Sequence, residues 1–153
     1  MVAAILSDAE RVEAAIDKFE PAMAKRIREV RLALRRRFLT AYELVWDNYN
    51  FFVLAYSATE RPSDSIVTIA ADRNGVGLAF YRGADLPDPE GLLQGNGKQN
   101  RFIRLTEGAN TLAVPAVMAL IDIAEEQAPA AMRKSGKIVT ILRSVSAKQR
   151  PRR

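Results

Sequence analysis

Cysteine and histidine are both absent from this 153-residue chain. The first absence excludes disulfides, a thiol nucleophile, thiolate zinc sites and protein-held iron–sulfur clusters. The second excludes a Ser-His-Asp relay, imidazole metal ligation and a histidine pH switch. Long apolar runs are also missing. The longest, Leu112 to Ile121, is ten residues, contains Pro115 and stops at Asp122, whereas a spanning helix needs about 20. The stretch 1–6 carries no basic leader and is too short for a signal peptide. The expected setting is the cytosol, with no membrane contact. Any chemistry must run on carboxylates, lysine, arginine, tyrosine, serine or threonine.

What is present is a 48% hydrophobic composition, enough for a core of ordinary size, and a formal net charge of +5. That charge is unevenly placed. Residues 132–153 hold eight Lys or Arg and no acid, which leaves −3 for the rest of a +5 chain. Residues 25–37 hold seven cations against Glu29, and residues 1–24 hold five acids against Arg11 and Lys18.

Periodicity gives the elements. Ser7 to Glu10 is a capping box that opens a helix with Val12, Ile16 and Phe19 on one face. Pro21 suits the first turn of a second helix, on which Met23, Ile27, Val30, Leu34 and Phe38 form an apolar stripe. Its seven cations are expected on the solvent side. Strands are expected at residues 41–48, 51–56, 65–71, 76–81 and 101–105. Asn74-Gly75 signals a tight hairpin with positive φ at both central residues. A helix capped at Asn110 or Thr111 should run to about Gln127, burying Val114, Val117, Met118, Ile121 and Ala124. A last strand is expected at 137–142.

The resulting fold class is α+β. Two N-terminal helices and a C-terminal helix should pack on one face of a mainly antiparallel sheet of five to six strands. Residues 1–143 read as a single domain and 144–153 as a basic, frayed tail.

Four groupings carry candidate chemistry. Gly91 to Gln99 imitates a phosphate-binding loop, but five residues separate Gly91 from Gly97-Lys98 where four are required, and Gln99 replaces the magnesium-binding hydroxyl. Gly95, Gly97, Lys98, Arg101 and Arg104 remain as a candidate cradle for a small anion. Glu10, Glu13, Asp17 and Glu20 follow at helical spacing, a candidate carboxylate site for a metal, although Arg11 and Lys18 flank it. Glu43 and Asp47 share one sheet face with Val45 about 13 Å apart, too far for a paired acid and base, and read as acids on an open face. Trp46, Tyr49, Phe51, Phe52 and Tyr56 form an aromatic cluster, read as core. The tail Lys148 to Arg153 suits nonspecific phosphate contact and nothing more specific with nucleic acid.

Phe80 to Leu86, Asp88 to Leu93, Gly95 to Lys98 and Arg101 to Leu105 together resemble the YdhG-like bacterial domains, and the likeness extends over most of the chain. It implies a frataxin-like sandwich of helices on an antiparallel sheet. It also implies a non-enzymatic role in which weakly bound iron is handled or an assembly partner is docked. The acidic stripe Glu10, Glu13, Asp17, Glu20 is the nearest match by placement to the acids that frataxins keep on their first helix. The competing expectation is a small anionic ligand held by the Gly95–Arg104 region.

Overall fold

The computed structural model describes residues 5–153, so the reading of the stretch 1–6 falls mostly outside it. Ser7 caps α1 (Asp8–Ile16): its hydroxyl accepts from the Glu10 N–H, and the Glu10 carboxylate accepts from the Ser7 N–H, both at 3.1 Å. Pro21, needing no N–H partner, starts α2 (Pro21–Arg37). Then come β1 (Tyr42–Asp47), β2 (Phe52–Ser57), β3 (Ser65–Asp72), β4 (Gly75–Phe80) and β5 (Arg101–Arg104). α3 (Ala109–Leu112), α4 (Pro115–Glu126) and β6 (Val139–Val145) complete the order.

The six strands form one mixed sheet in the order β5-β4-β3-β2-β1-β6. Four neighbouring pairs are antiparallel, and β6 runs parallel to β1. The chain reaches that parallel edge only by passing back along the molecule through α3 and α4, as parallel pairing requires.

Alternation along the strands separates two faces. Val45, Leu54, Ile69, Leu78 and Ile103 face one way and share a single apolar core with Val12, Ile16 and Phe19, with Ile27, Val30, Leu34 and Phe38, and with Val117, Leu120 and Ile121. We term this the inner face. The register places Trp46, Val53, Ala70, Gly77 and Arg104 in one row on the opposite, outer face, and Ile141, Leu44, Ala55, Thr68, Ala79 and Phe102 in the next.

Several expectations are corrected. The β3–β4 turn does not centre on Asn74-Gly75. Asp72 pairs with Gly75, so Arg73 and Asn74 are central, and no non-glycine residue among those described has positive φ. The reason is Asp72, whose Oδ1 accepts from the Asn74 and Gly75 N–H groups at 2.8 and 3.2 Å and fixes the turn one residue earlier. The long helix is two, because Pro115 begins α4 after a break at Ala113-Val114. That break leaves Val114 and Met118 exposed, with Leu120 buried in their stead.

Residues 146–153 are a docked strap rather than a frayed tail. Arg152 is 5% exposed, and its guanidinium donates to Asp47 Oδ1 (3.0 Å), Asn48 O (2.6 Å) and Asn50 O (3.1 Å). Gln149 donates to Asp47 O, and the Arg150 N–H donates to Tyr49 O, each at 2.9 Å. Deleting residues 146–153 leaves Asp47 buried with Lys18 as its one remaining cation. The deletion should cost about 3 kcal/mol, the scale of breaking a buried pair, read as a lower urea midpoint at unchanged m. A midpoint equal to that of the full chain would contradict the docking.

Candidate functional site

The two strand acids lie on the inner face, contrary to the open-face expectation, because the residues that alternate with them belong to the other side. Glu43 has no exposed surface. Its Oε1 accepts from Arg31 (2.9 Å), Arg35 (2.7 Å) and Thr140 (2.9 Å), and its Oε2 accepts from Arg31 (3.1 Å) and the Tyr56 hydroxyl (2.7 Å). These donors come from α2, β2 and β6. Burial pushes the Glu43 carboxyl up, but the Arg31 fork, Tyr56 and Arg35 outweigh it and hold the group below its ordinary value. Burial and the Glu43 charge push the Tyr56 hydroxyl well above its ordinary value, so it stays a donor.

Asp47 is a second buried acid, 2% exposed. Burial raises its carboxyl, and hydrogen bonds from Lys18 (2.7 Å) and Arg152 more than offset that.

The acidic stripe is absorbed by the same cations. Arg31 also donates to Glu13 Oε1 at 3.0 Å, and Arg28 donates to Glu13 Oε2 at 2.9 Å and to Asp17 Oδ1 at 2.5 Å. Glu10 is tied back to Ser7, whose backbone N–H and hydroxyl hold it below its ordinary value. Glu20 sits at the N-cap of α2. Glu10, Glu13, Asp17 and Glu20 are all exposed, but Glu13 and Asp17 share guanidinium partners rather than an unoccupied gap. No three acids among the described residues converge as a cation would need. Iron as a cargo would have to displace arginines from this stripe, so the arrangement does not fit a hard-cation site.

The Gly95–Arg104 region is likewise built around itself. Arg101 donates through Nη1 to Gly97 O (2.6 Å) and Asn100 O (2.8 Å), turning its charge onto loop carbonyls. Gln94 bridges Phe102 through two backbone hydrogen bonds of 2.8 and 3.0 Å, extending the sheet edge past β5. Gly95 adopts φ 109°, a turn conformation that L side chains resist. Lys98 and Arg104 are exposed, and Arg104 lies over the Phe102 ring at 5.8 Å, on the outer face. The loop thus brings Gly97 and Arg101 together and leaves Lys98 and Arg104 apart from that contact.

Sequence reasoning leaves one sheet face available for solvent or a partner but misses which residues line it. Its flanks carry Tyr42 and Trp46 on β1 and Phe102 on β5. Between them stand Ala55, Thr68, Ala70, Gly77 and Ala79. Small residues between bulky ones make a shallow trough along β3 and β4. The signal available in the sequence was the alternation Gly77, Ala79 against Val76, Leu78, Phe80. The aromatic cluster divides accordingly: Phe52 and Tyr56 are core, Trp46 is half-buried on the outer face, and Tyr49 and Phe51 are exposed on the β1–β2 hairpin.

Scans against protein-family models, curated proteins and solved structures return no match for the chain. No helix among the described residues is long and apolar enough to cross a membrane.

Two outcomes follow. Glu43→Ala strands Arg31 and Arg35 beside a cavity and should cost about 3–5 kcal/mol, measured by urea unfolding; a loss under about 1 kcal/mol would contradict the network's role. Both acids have folded values below their ordinary ones, 4.5 for Glu43 and 3.8 for Asp47. Their stabilisation is complete above those values and is lost as pH falls through the lower folded-state values. Thermal unfolding should thus be flat near neutrality and drop below about pH 4, with a shallower acid limb in Glu43→Gln.

Proposed function

We propose that this chain is a non-enzymatic binding domain, YdhG-like in kind, whose partner docks on the outer face of the sheet. The observation that carries the reading is Gly77. It stands in the middle of β4 at the floor of the trough, where a Cβ would meet only Ile103 O at 3.8 Å and Ala70 O at 3.9 Å. Those are ordinary contacts, so the fold does not need a glycine there. An interior strand glycine costs about 0.5–1 kcal/mol relative to alanine, and such positions often mark the close approach of a ligand or a second backbone. The helices share their core with the inner face, and along β3 and β4 the outer-face residues Thr68, Ala70, Gly77 and Ala79 stay partly exposed, while Leu44 and Ala55 on β1 and β2 are buried.

That no catalytic grouping stands among the described residues supports binding rather than turnover. Glu43 and Asp47, the two buried acids with perturbed ionisation, are engaged by cations. The metal-handling alternative loses ground because the acidic stripe is occupied by Arg28 and Arg31. Docking of a partner on the sheet requires no such displacement.

Trp46 is the only tryptophan of the chain and lies on this face, so its emission reports occupancy. A screen of nucleotides, oligonucleotides and acidic and basic peptides should find a class that shifts Trp46 emission. Gly77→Arg, which fills the trough, should abolish that shift while unfolding within a few degrees of the parent. A ligand response that survives Gly77→Arg and leaves Trp46 emission unmoved would place binding elsewhere.

A further inference from the structure

The docked strap is fastened to the backbone of the β1–β2 turn, which closes the outer face at one end. Phe51 continues the outer-face alternation of Val53 and Ala55, next to Asn48, whose side chain accepts from Ser144 at 3.2 Å on the same side. Phe51 is 43% exposed, and Tyr49 in the same hairpin is 49% exposed. Phe51 and half-buried Trp46 stand at this end of the outer face, and exposed Tyr49 lies in the turn next to them. Arg150, positioned by its N–H bond to Tyr49 O, lies over the Tyr49 ring at 5.7 Å.

Several cations of the helix side are spent on carboxylates, whereas four near this face meet rings or carbonyls. Arg28, Arg31, Arg35, Arg37 and Lys18 are each bound to carboxylates. Arg104 lies over Phe102, Arg133 over Tyr42 at 4.6 Å, Arg150 over Tyr49, and Arg143 reaches the Glu60 carbonyl at 3.1 Å. None of these four is among the ion pairs of the described residues. The one acid at an outer-face strand position, Asp72, is spent on its turn. The face is therefore aromatic, shallow and rimmed by arginines without acidic partners.

We infer that the outer face binds single-stranded nucleic acid. This inference rests on the outer-face reading above and names its occupant. Unpaired bases offer flat π-faces to Phe51, Tyr49 and Trp46, and the phosphates meet the arginine rim; that pairing of stacking platforms with a cationic groove is how single strands are held without sequence preference. The span from β1 to β5 is about 19 Å, four inter-strand spacings, which accommodates a short run of nucleotides. An acidic peptide would satisfy the rim but leave the rings without flat partners. The trough also lacks the deep pockets in which peptide anchor side chains seat.

The test uses the full chain and fluorescein-labelled 15-mers of oligo-U and oligo-dT, followed by anisotropy and by Trp46 quenching. Saturable binding with quenching is expected for one or both strands. Four phosphate contacts predict a loss of about 50-fold in affinity between 50 and 200 mM salt. Tyr49→Ala with Phe51→Ala should weaken binding by about 10-fold or more, and Arg104→Gln with Arg150→Gln should flatten the salt dependence. Arg11→Gln with Arg36→Gln, on the helices, should leave affinity within about twofold.

A duplex that binds as tightly as the single strands would overturn the inference, because stacked bases cannot reach the rings. So would binding that the helix variants remove and the hairpin variants do not. Oligo-glutamate that shifts Trp46 and displaces the oligonucleotides at equal concentration would assign the face to an acidic peptide, leaving the outer-face reading intact. Absence of any oligonucleotide response at 50 mM salt ends the inference alone if another ligand still gives a Gly77→Arg-sensitive shift. If no ligand does, both readings fall.

Discussion

The Glu43 carboxylate, buried on the inner face of the sheet, is the constraint from which the rest of the molecule follows. Taking such a charge out of water costs several kcal/mol even after relaxation. The cost is offset only because five hydrogen bonds converge on its two oxygens from α2, β2 and β6. That requirement fixes α2 over β1, sets the parallel edge strand β6 in register through Thr140, and keeps the Tyr56 hydroxyl as a donor. Asp47, two pleats along the same strand, repeats the arrangement at the other end, gathering Lys18 after α1 and Arg152 from the strap. The apolar core between the two acids closes around Val45.

One consequence is electrostatic asymmetry between the two faces. Arg28, Arg31 and Arg35 of α2 are spent on Glu43 and on the exposed stripe of α1, forming a chain from Asp17 through Arg28, Glu13 and Arg31 to Glu43, and Arg37 is spent on Asp122 and Glu125 of α4. Arg104 of β5, Arg143 of β6, Arg133 and, on the strap, Arg150 have no such partners among the described residues, whereas Arg152 of the strap is held by Asp47. Part of the formal charge of +5 is expressed on the outer face, where Arg104 stands beside Phe102 and the small-residue trough. The acidic stripe, conspicuous along the first helix, turns out to be half of an internal neutralisation.

Much of the fold was legible in the sequence, because helix periodicity, the Ser7 capping box and the alternating strand at Val76–Phe80 are local signals. The sheet's α+β setting followed from them. What escaped was long-range pairing of charge. Arg31, four residues after Ile27 and three before Leu34, borders the apolar stripe of α2, but nothing local names its partner. Only the approach of β1 shows that Glu43 needs it. The same holds for the strap: Lys148 to Arg153 has the composition of a frayed end, and Arg152 is ordered by an acid 105 residues away. Asp72 shows the reverse, a local side-chain bond that overrode the Asn74-Gly75 turn signal. The candidate sites were read from residue type and spacing, which identify groups capable of chemistry but not whether a neighbour already holds them.

The most direct test of the central claim is a double-mutant cycle on the Arg31–Glu43 pair, using Arg31→Met, Glu43→Gln and the two together, with urea unfolding near pH 7. Each single substitution should cost several kcal/mol, because it leaves a buried partner uncompensated. The double variant should recover at least about 2 kcal/mol of the summed loss, the coupling expected of groups in one buried network. Losses that simply add would show that the two charges do not depend on each other, contradicting the account.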